Sequence, residues 1–138
     1  MGDPDPRRSR NFNQPDLFEF YYGHFDGSSC HAKWNGHCLV VERNRGGNFP
    51  AASREVTPSA DSWNAFWNRI TEIGCPEWEP EYLSLHGCCG TTYWSIRIAK
   101  GELSVSSRGA NAFPGGESAD PSVDFQKFLA AYRILLHS

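Results

Sequence analysis

The chain has 138 residues, a formal net charge of −3 and a pI near 5.9. That length suits one domain burying about two thirds of its unfolded-chain surface. The acidic balance speaks against a general nucleic-acid binder, which carries a basic patch or stripe. No apolar run approaches the ~18 residues a membrane span requires.

The five cysteines are an odd number, and the N-terminus, MGDPDPRRSRNFNQPD, lacks an apolar signal core. Both features lead to the expectation of a cytoplasmic protein with reduced thiols, without a disulfide framework. Aromatic residues make up 14% of the chain, including five Trp and nine Phe. They can carry a small core or furnish an interaction surface.

Residues 1–15 are polar, rich in proline and charge, and without periodicity; they read as a mobile tail ahead of a single domain over 16–138. Strand alternation begins at Leu17–His24, with Phe18, Phe20 and Tyr22 on one face and Glu19 on the other. A hairpin follows, turning at Asn35-Gly36, a pair suited to a type I′ loop in which both residues take positive φ. That register pairs Trp34 with His37 and Ala32 with Leu39. It places Cys30, Ala32, Trp34, Leu39 and Val41 on the core face, and His31, Lys33, Cys38 and Glu42 on the other. Asn44–Val56 reads as a polar loop.

Thr57-Pro58 has the form of an N-cap followed by proline at the first helical position. The helix it opens carries an apolar stripe of Trp63, Phe66, Trp67, Ile70 and Ile73, and Gly74 is a natural stop. Pro76 and Pro80 predict an extended segment around Trp78, then a strand over Glu81–Leu85 and a tight loop over His86–Gly90. A second hairpin is predicted to turn at Lys100-Gly101, with Ile98 facing Leu103 and Ile96 facing Val105. Trp94, Ile96, Ile98, Leu103 and Val105 then share the buried face, and Tyr93, Ser95, Arg97, Ser104 and Ser106 the solvated one. The last helix is read from Asp120-Pro121, burying Phe125, Phe128, Leu129, Tyr132, Leu135 and Leu136. The expected fold is α+β: a two-layer sandwich in the order β-β-β-α-β-β-β-α. An antiparallel sheet of about six strands carries both helices on one face.

The chemistry-bearing residues form few coherent sets. Cys30-His31, His37-Cys38 and His86, Cys88, Cys89 invite a zinc reading, but the hairpin register puts Cys30 and Cys38 on opposite faces and no CxxC occurs, so neither metal nor cofactor is expected. Cys88 or Cys89 beside His86 in a glycine-flanked loop has the ingredients of a thiolate or ligand site. Glu77, Glu79 and Glu81 alternate along an extended segment, which fits a solvated edge better than a catalytic pair. In the connector Arg108–Pro114, Arg108 and Asn111, with Arg97 on the neighbouring strand, form a candidate patch for an anionic or peptide ligand.

The run Trp63–Phe66–Trp67, Trp78–Tyr82, Tyr93–Trp94–Ile96–Ile98, Ser107–Gly109–Asn111–Phe113–Pro114 and Phe125–Leu129 resembles small uncharacterised bacterial α+β proteins, some of them encoded on mobile integron gene cassettes. The resemblance implies a bacterial α+β fold and no particular chemistry. The functional expectation is a non-enzymatic binding or protein-interaction domain, with a homodimer as one form of it and neither nucleic acid nor membrane as partner. Its rival is a small-molecule-binding or enzymatic domain with a pocket between sheet and helices, edged by His86–Cys89 or by Arg97, Arg108 and Asn111.

Overall fold

A computed structural model describes residues 13–24, 27–46, 51–83, 92–115 and 121–137. Its strands are β1 (Leu17–Gly23), β2 (Ser29–Trp34), β3 (Leu39–Asn44), β4 (Ala52–Val56), β5 (Glu81–Leu83), β6 (Tyr93–Lys100) and β7 (Leu103–Ala110). Its helices are α1 (Ala60–Ile73) and α2 (Val123–Leu136), with a 3₁₀ turn at Cys75–Glu77. The strands form one sheet in the order β4-β3-β2-β1-β6-β7-β5. Every neighbouring pair is antiparallel except β5 and β7, which run parallel. The α+β architecture is as expected, with seven strands in place of about six.

The added strand is β4, in a stretch that reads as polar loop. Four of its five residues are exposed, because it is an edge strand with only β3 beside it. Such a strand lacks the apolar alternation that reveals a half-buried one.

Both hairpin registers differ from expectation by two residues. Trp34 pairs with Leu39, leaving a loop of Asn35 to Cys38. Asn35 Oδ1 accepts the amides of His37 (2.8 Å) and Cys38 (2.9 Å). The asparagine thus closes the turn with its side chain, and Gly36 alone in this loop takes a positive φ. In the second hairpin Lys100 pairs with Leu103 and Ile98 with Val105, so the loop is Gly101-Glu102. Gly101 supplies the positive φ, and its amide donates to Asp16 Oδ2 at 2.8 Å. A slip of two leaves each side chain on its own face, so the expected core sets survive.

The helix starts also move. Ser59 caps α1 by accepting from the Ser62 amide, and Ser122 caps α2 by accepting from the Phe125 amide. Thr57-Pro58 and Pro121 lie just outside as lead-in. Gly74 ends α1 at φ 91°, as its position predicts. The segment expected to be extended around Trp78 instead begins with the 3₁₀ turn.

Both helices lie on the face of β1 that carries Phe18, Phe20 and Tyr22. Phe18 meets Trp63 and Phe66 of α1, and Phe20 meets Phe128 and Tyr132 of α2. Of residues 1–15, the described Asn13 is tied to α1: its carbonyl accepts the Trp67 indole N–H at 2.7 Å, and its Nδ2 donates to Ala60 O. None of the described helices is long and apolar enough to cross a membrane.

Candidate functional site

The space between sheet and helices over β6 and β7 is filled by aromatic rings. Trp94, Phe113 and Phe125 are at most 1% exposed and in mutual contact there. The Trp94 indole lies across Gly109, its partner on β7, and donates to Ala112 O at 2.8 Å. Among the described residues, these rings occupy the space where the expected pocket would lie.

The described members of the expected site occupy two separate places. Arg97 and Arg108 stand exposed on the sheet face away from the helices, diagonal neighbours on β6 and β7. Arg108 is engaged: Nε and Nη2 both donate to Glu81 Oε2, the former at 2.9 Å. Asn111 sits past the end of β7 at φ 53°. Its amide donates to Thr92 O and its Oδ1 accepts from the Thr92 amide, both at 2.9 Å. That reciprocal pair closes the end of the hairpin, which is the structural role a left-handed asparagine suits. His86, Cys88 and Cys89 lie outside the described residues.

A cleft of about 830 Å³ opens elsewhere, between the helix-facing side of β2–β4 and the last turns of α2. Strand alternation builds it. Along β3, Leu39, Val41 and Arg43 point to the helix side; along β4, Val56, Arg54 and Ala52 do the same, since Leu39 pairs with Val56, Val41 with Arg54 and Arg43 with Ala52. The same register sets Cys30 of β2 opposite Arg43. Nearer the molecule's centre this face is covered by Trp63, which meets Trp34 edge-on. Toward the Arg43 end the cover is α2, which contributes Leu129, Tyr132, Arg133, Leu136 and the following His137.

The electrostatics of this cleft are one-sided. Its lining includes Arg43, Arg45, Arg54, Arg133, His24 and His137, and no Asp or Glu among the described residues. None of the four arginines is ion-paired with a described residue. This concentration occurs on a chain whose net charge is −3. The carbonyls ending α2 bring partial negative charge to the same place, which Arg133 in the last turn offsets.

Beneath the arginines the floor is nearly neutral. Burial pushes the Cys30 thiol up, against the pull of Arg43 and Arg133, so it stays protonated. Burial likewise raises the Tyr132 phenol, with Cys30 adding to the rise and Arg54 and Arg43 opposing it. Tyr132 is 5% exposed, and its hydroxyl has no hydrogen-bond partner among the described residues. A buried hydroxyl normally finds one, because leaving it unmet costs roughly 1–3 kcal/mol.

Among the described residues no group of three or more His, Cys, Asp or Glu side chains is placed to hold a metal ion. Cys30 faces the cleft, His31 lies on the opposite sheet face, and Cys38 Sγ is 3.5 Å from Glu55 Oε2. The chain matches no protein-family model, no curated protein and no solved structure.

Proposed function

We propose that this is a binding domain whose ligand is an anion held in the cleft between β2–β4 and the end of α2. The observation that carries the reading is the set Arg43, Arg54 and Arg133 lining one cleft with no carboxylate among its described residues, above a buried phenol that meets no hydrogen-bond partner among them. Clustered like charges repel, and an oxyanion placed between them relieves that repulsion. Guanidinium forks match carboxylate and phosphate oxygens in geometry as well as charge. The protonated thiol of Cys30 suits a binding floor and not a nucleophile. The cleft volume falls in the range of small-molecule sites.

A thermal-shift series tests this. At constant ionic strength, inorganic phosphate and small carboxylates raise the melting temperature by mass action, by about 2.7 kcal/mol of stabilisation at a hundredfold excess over Kd. Chloride at the same ionic strength does not. Equal curves for all anions would remove the reading.

One observation favours a second, independent reading as an interaction domain. On the sheet face away from the helices, Tyr21, Tyr93 and Leu83 are 40%, 54% and 62% exposed. Register places Tyr93 diagonal to Tyr21 and in one row with Ala110 and Leu83. Self-association through this patch gives a homodimer by light scattering at high concentration, and Tyr93→Ser abolishes it. A strict monomer rules that form out.

A further inference from the structure

We infer that the ligand of the cleft is an amphipathic oxyanion, a carboxylate or phosphate head on an apolar body. This rests on the anion-binding reading above and adds what the anion carries. A site for a bare inorganic ion is polar all round, with donors converging from every side. This cleft is graded. Along the helix-facing side of β3 the side chains run Leu39, Val41, Arg43, from the aromatic core out to the cationic rim. On the facing helix, Leu129 and Leu136 present apolar surface beside Arg133. Tyr22 continues the apolar wall from β1, and the neutral thiol of Cys30 belongs with it.

Val41, Tyr22 and Leu129 are 8%, 9% and 9% exposed, so each keeps a margin of surface uncovered at the floor. A ligand seated with its oxygens between Arg43 and Arg54 lies above Tyr132 and extends its body over these side chains. The cleft's volume exceeds what a single oxyanion fills. Burial of the body adds affinity that charge alone does not provide.

The test is calorimetric titration of the full chain, at one pH and ionic strength and below micelle-forming concentrations, with inorganic phosphate, octanoate, octyl phosphate and octylammonium. The expected result is that octanoate or octyl phosphate binds at least about fifteenfold more tightly than inorganic phosphate, the gain from two or three buried methylenes. Whichever of the two binds better identifies the head group. Octylammonium gives no heat. Val41→Thr, which keeps side-chain shape, and Leu136→Asn each reduce the ratio of octyl phosphate to phosphate affinity, whereas Arg97→Ala on the opposite sheet face leaves both affinities unchanged.

If phosphate and octyl phosphate bind equally, the amphipathic inference falls while the anion reading stands. Should no anion bind, both fall. Sedimentation with phosphatidylglycerol vesicles that octanoate does not compete away would assign the arginines to a membrane surface and overturn the inference.

Discussion

Replacing Tyr132 with Phe separates a structural tyrosine from one held ready for a ligand, because the two roles predict opposite signs. The ring is buried between two aromatic neighbours: its centroid lies 4.8 Å from Phe20, edge-on, and 6.4 Å from Phe18, stacked. Phenylalanine keeps both contacts. What disappears is a hydroxyl that meets no partner among the described residues. A buried tyrosine with a satisfied hydroxyl loses about 0.5–1.5 kcal/mol on this change, whereas removal of an unmet polar group relieves a cost of roughly 1–3 kcal/mol. We therefore expect Tyr132→Phe to stabilise the ligand-free protein by about 1–2 kcal/mol. For a domain of this size that is a rise in melting temperature of roughly 3–8 °C. Urea unfolding gives the free energy, with an unchanged m-value as the sign that only stability moved. On the anion reading, in which the phenol turns to donate to the ligand, a saturating anion should shrink or reverse the advantage. A ligand-free variant less stable than wild type by 0.5 kcal/mol or more refutes the reasoning, since it would mean that the hydroxyl is already engaged.

Gly109→Ala is expected to cost about 3 kcal/mol by thermal or urea unfolding, because a Cβ there would lie 2.3 Å from Trp94 Nε1 and 2.6 Å from Ala112 O. The indole must shift and its hydrogen bond to Ala112 is strained or lost; a cost under 0.5 kcal/mol would show that Trp94 does not sit against that strand. Stability should fall at alkaline pH. Burial pushes the Cys75 thiol up to about 12 and raises the Tyr132 phenol as well. Both groups are neutral when protonated and hold their protons longer folded than unfolded. Their contribution is complete below the unfolded thiol value and is lost as pH rises from about 8.5 toward 12, by up to ~1.4 kcal/mol per pH unit for each group as it titrates. Melting curves between pH 8 and 11 check this, and Cys75→Ala should flatten the first part of the decline. Arg108→Ala should change stability by less than about 1 kcal/mol, since its pair with Glu81 is exposed at 70% and 42%. Neither that variant nor Arg97→Ala should alter anion affinity.

The parts of this fold legible in the sequence are those fixed by strong local patterns. Phe18, Phe20 and Tyr22 alternate, α1 repeats Trp63, Phe66, Trp67 and Ile70, and each feeds one core. The faces of the paired strand residues followed from alternation even where register did not, while Cys38, read as a strand residue, lies in the loop and is buried. Turn chemistry misled by two residues, because Asn35 closes its loop with a side-chain oxygen and not with its own positive φ.

The cleft was hidden for a related reason. Arg43 continues the alternation Leu39, Val41 onto the core face, but a charged residue at the end of a strand reads as solvent-facing. Arg54 lies on an exposed edge strand, and its side of the sheet follows only from pairing with Val41. Arg133 sits in the apolar run of α2, where it reads as an ordinary last-turn cation. No local pattern links three arginines from two adjacent strands and a distant helix. Conversely, Arg97, Arg108 and Asn111 are neighbours in sequence logic, yet Glu81 and Thr92 engage Arg108 and Asn111.

The central claim is that Arg43 and Arg54 form an anion site, and calorimetric titration of phosphate into wild type and the Arg43→Ala/Arg54→Ala double variant tests it most directly. The account predicts saturable binding to wild type that weakens as salt rises. It predicts at least about a tenfold loss in the double variant, which should be as stable as wild type or more so once the like charges are removed. Binding of equal strength to both proteins, or no binding to wild type, would contradict it.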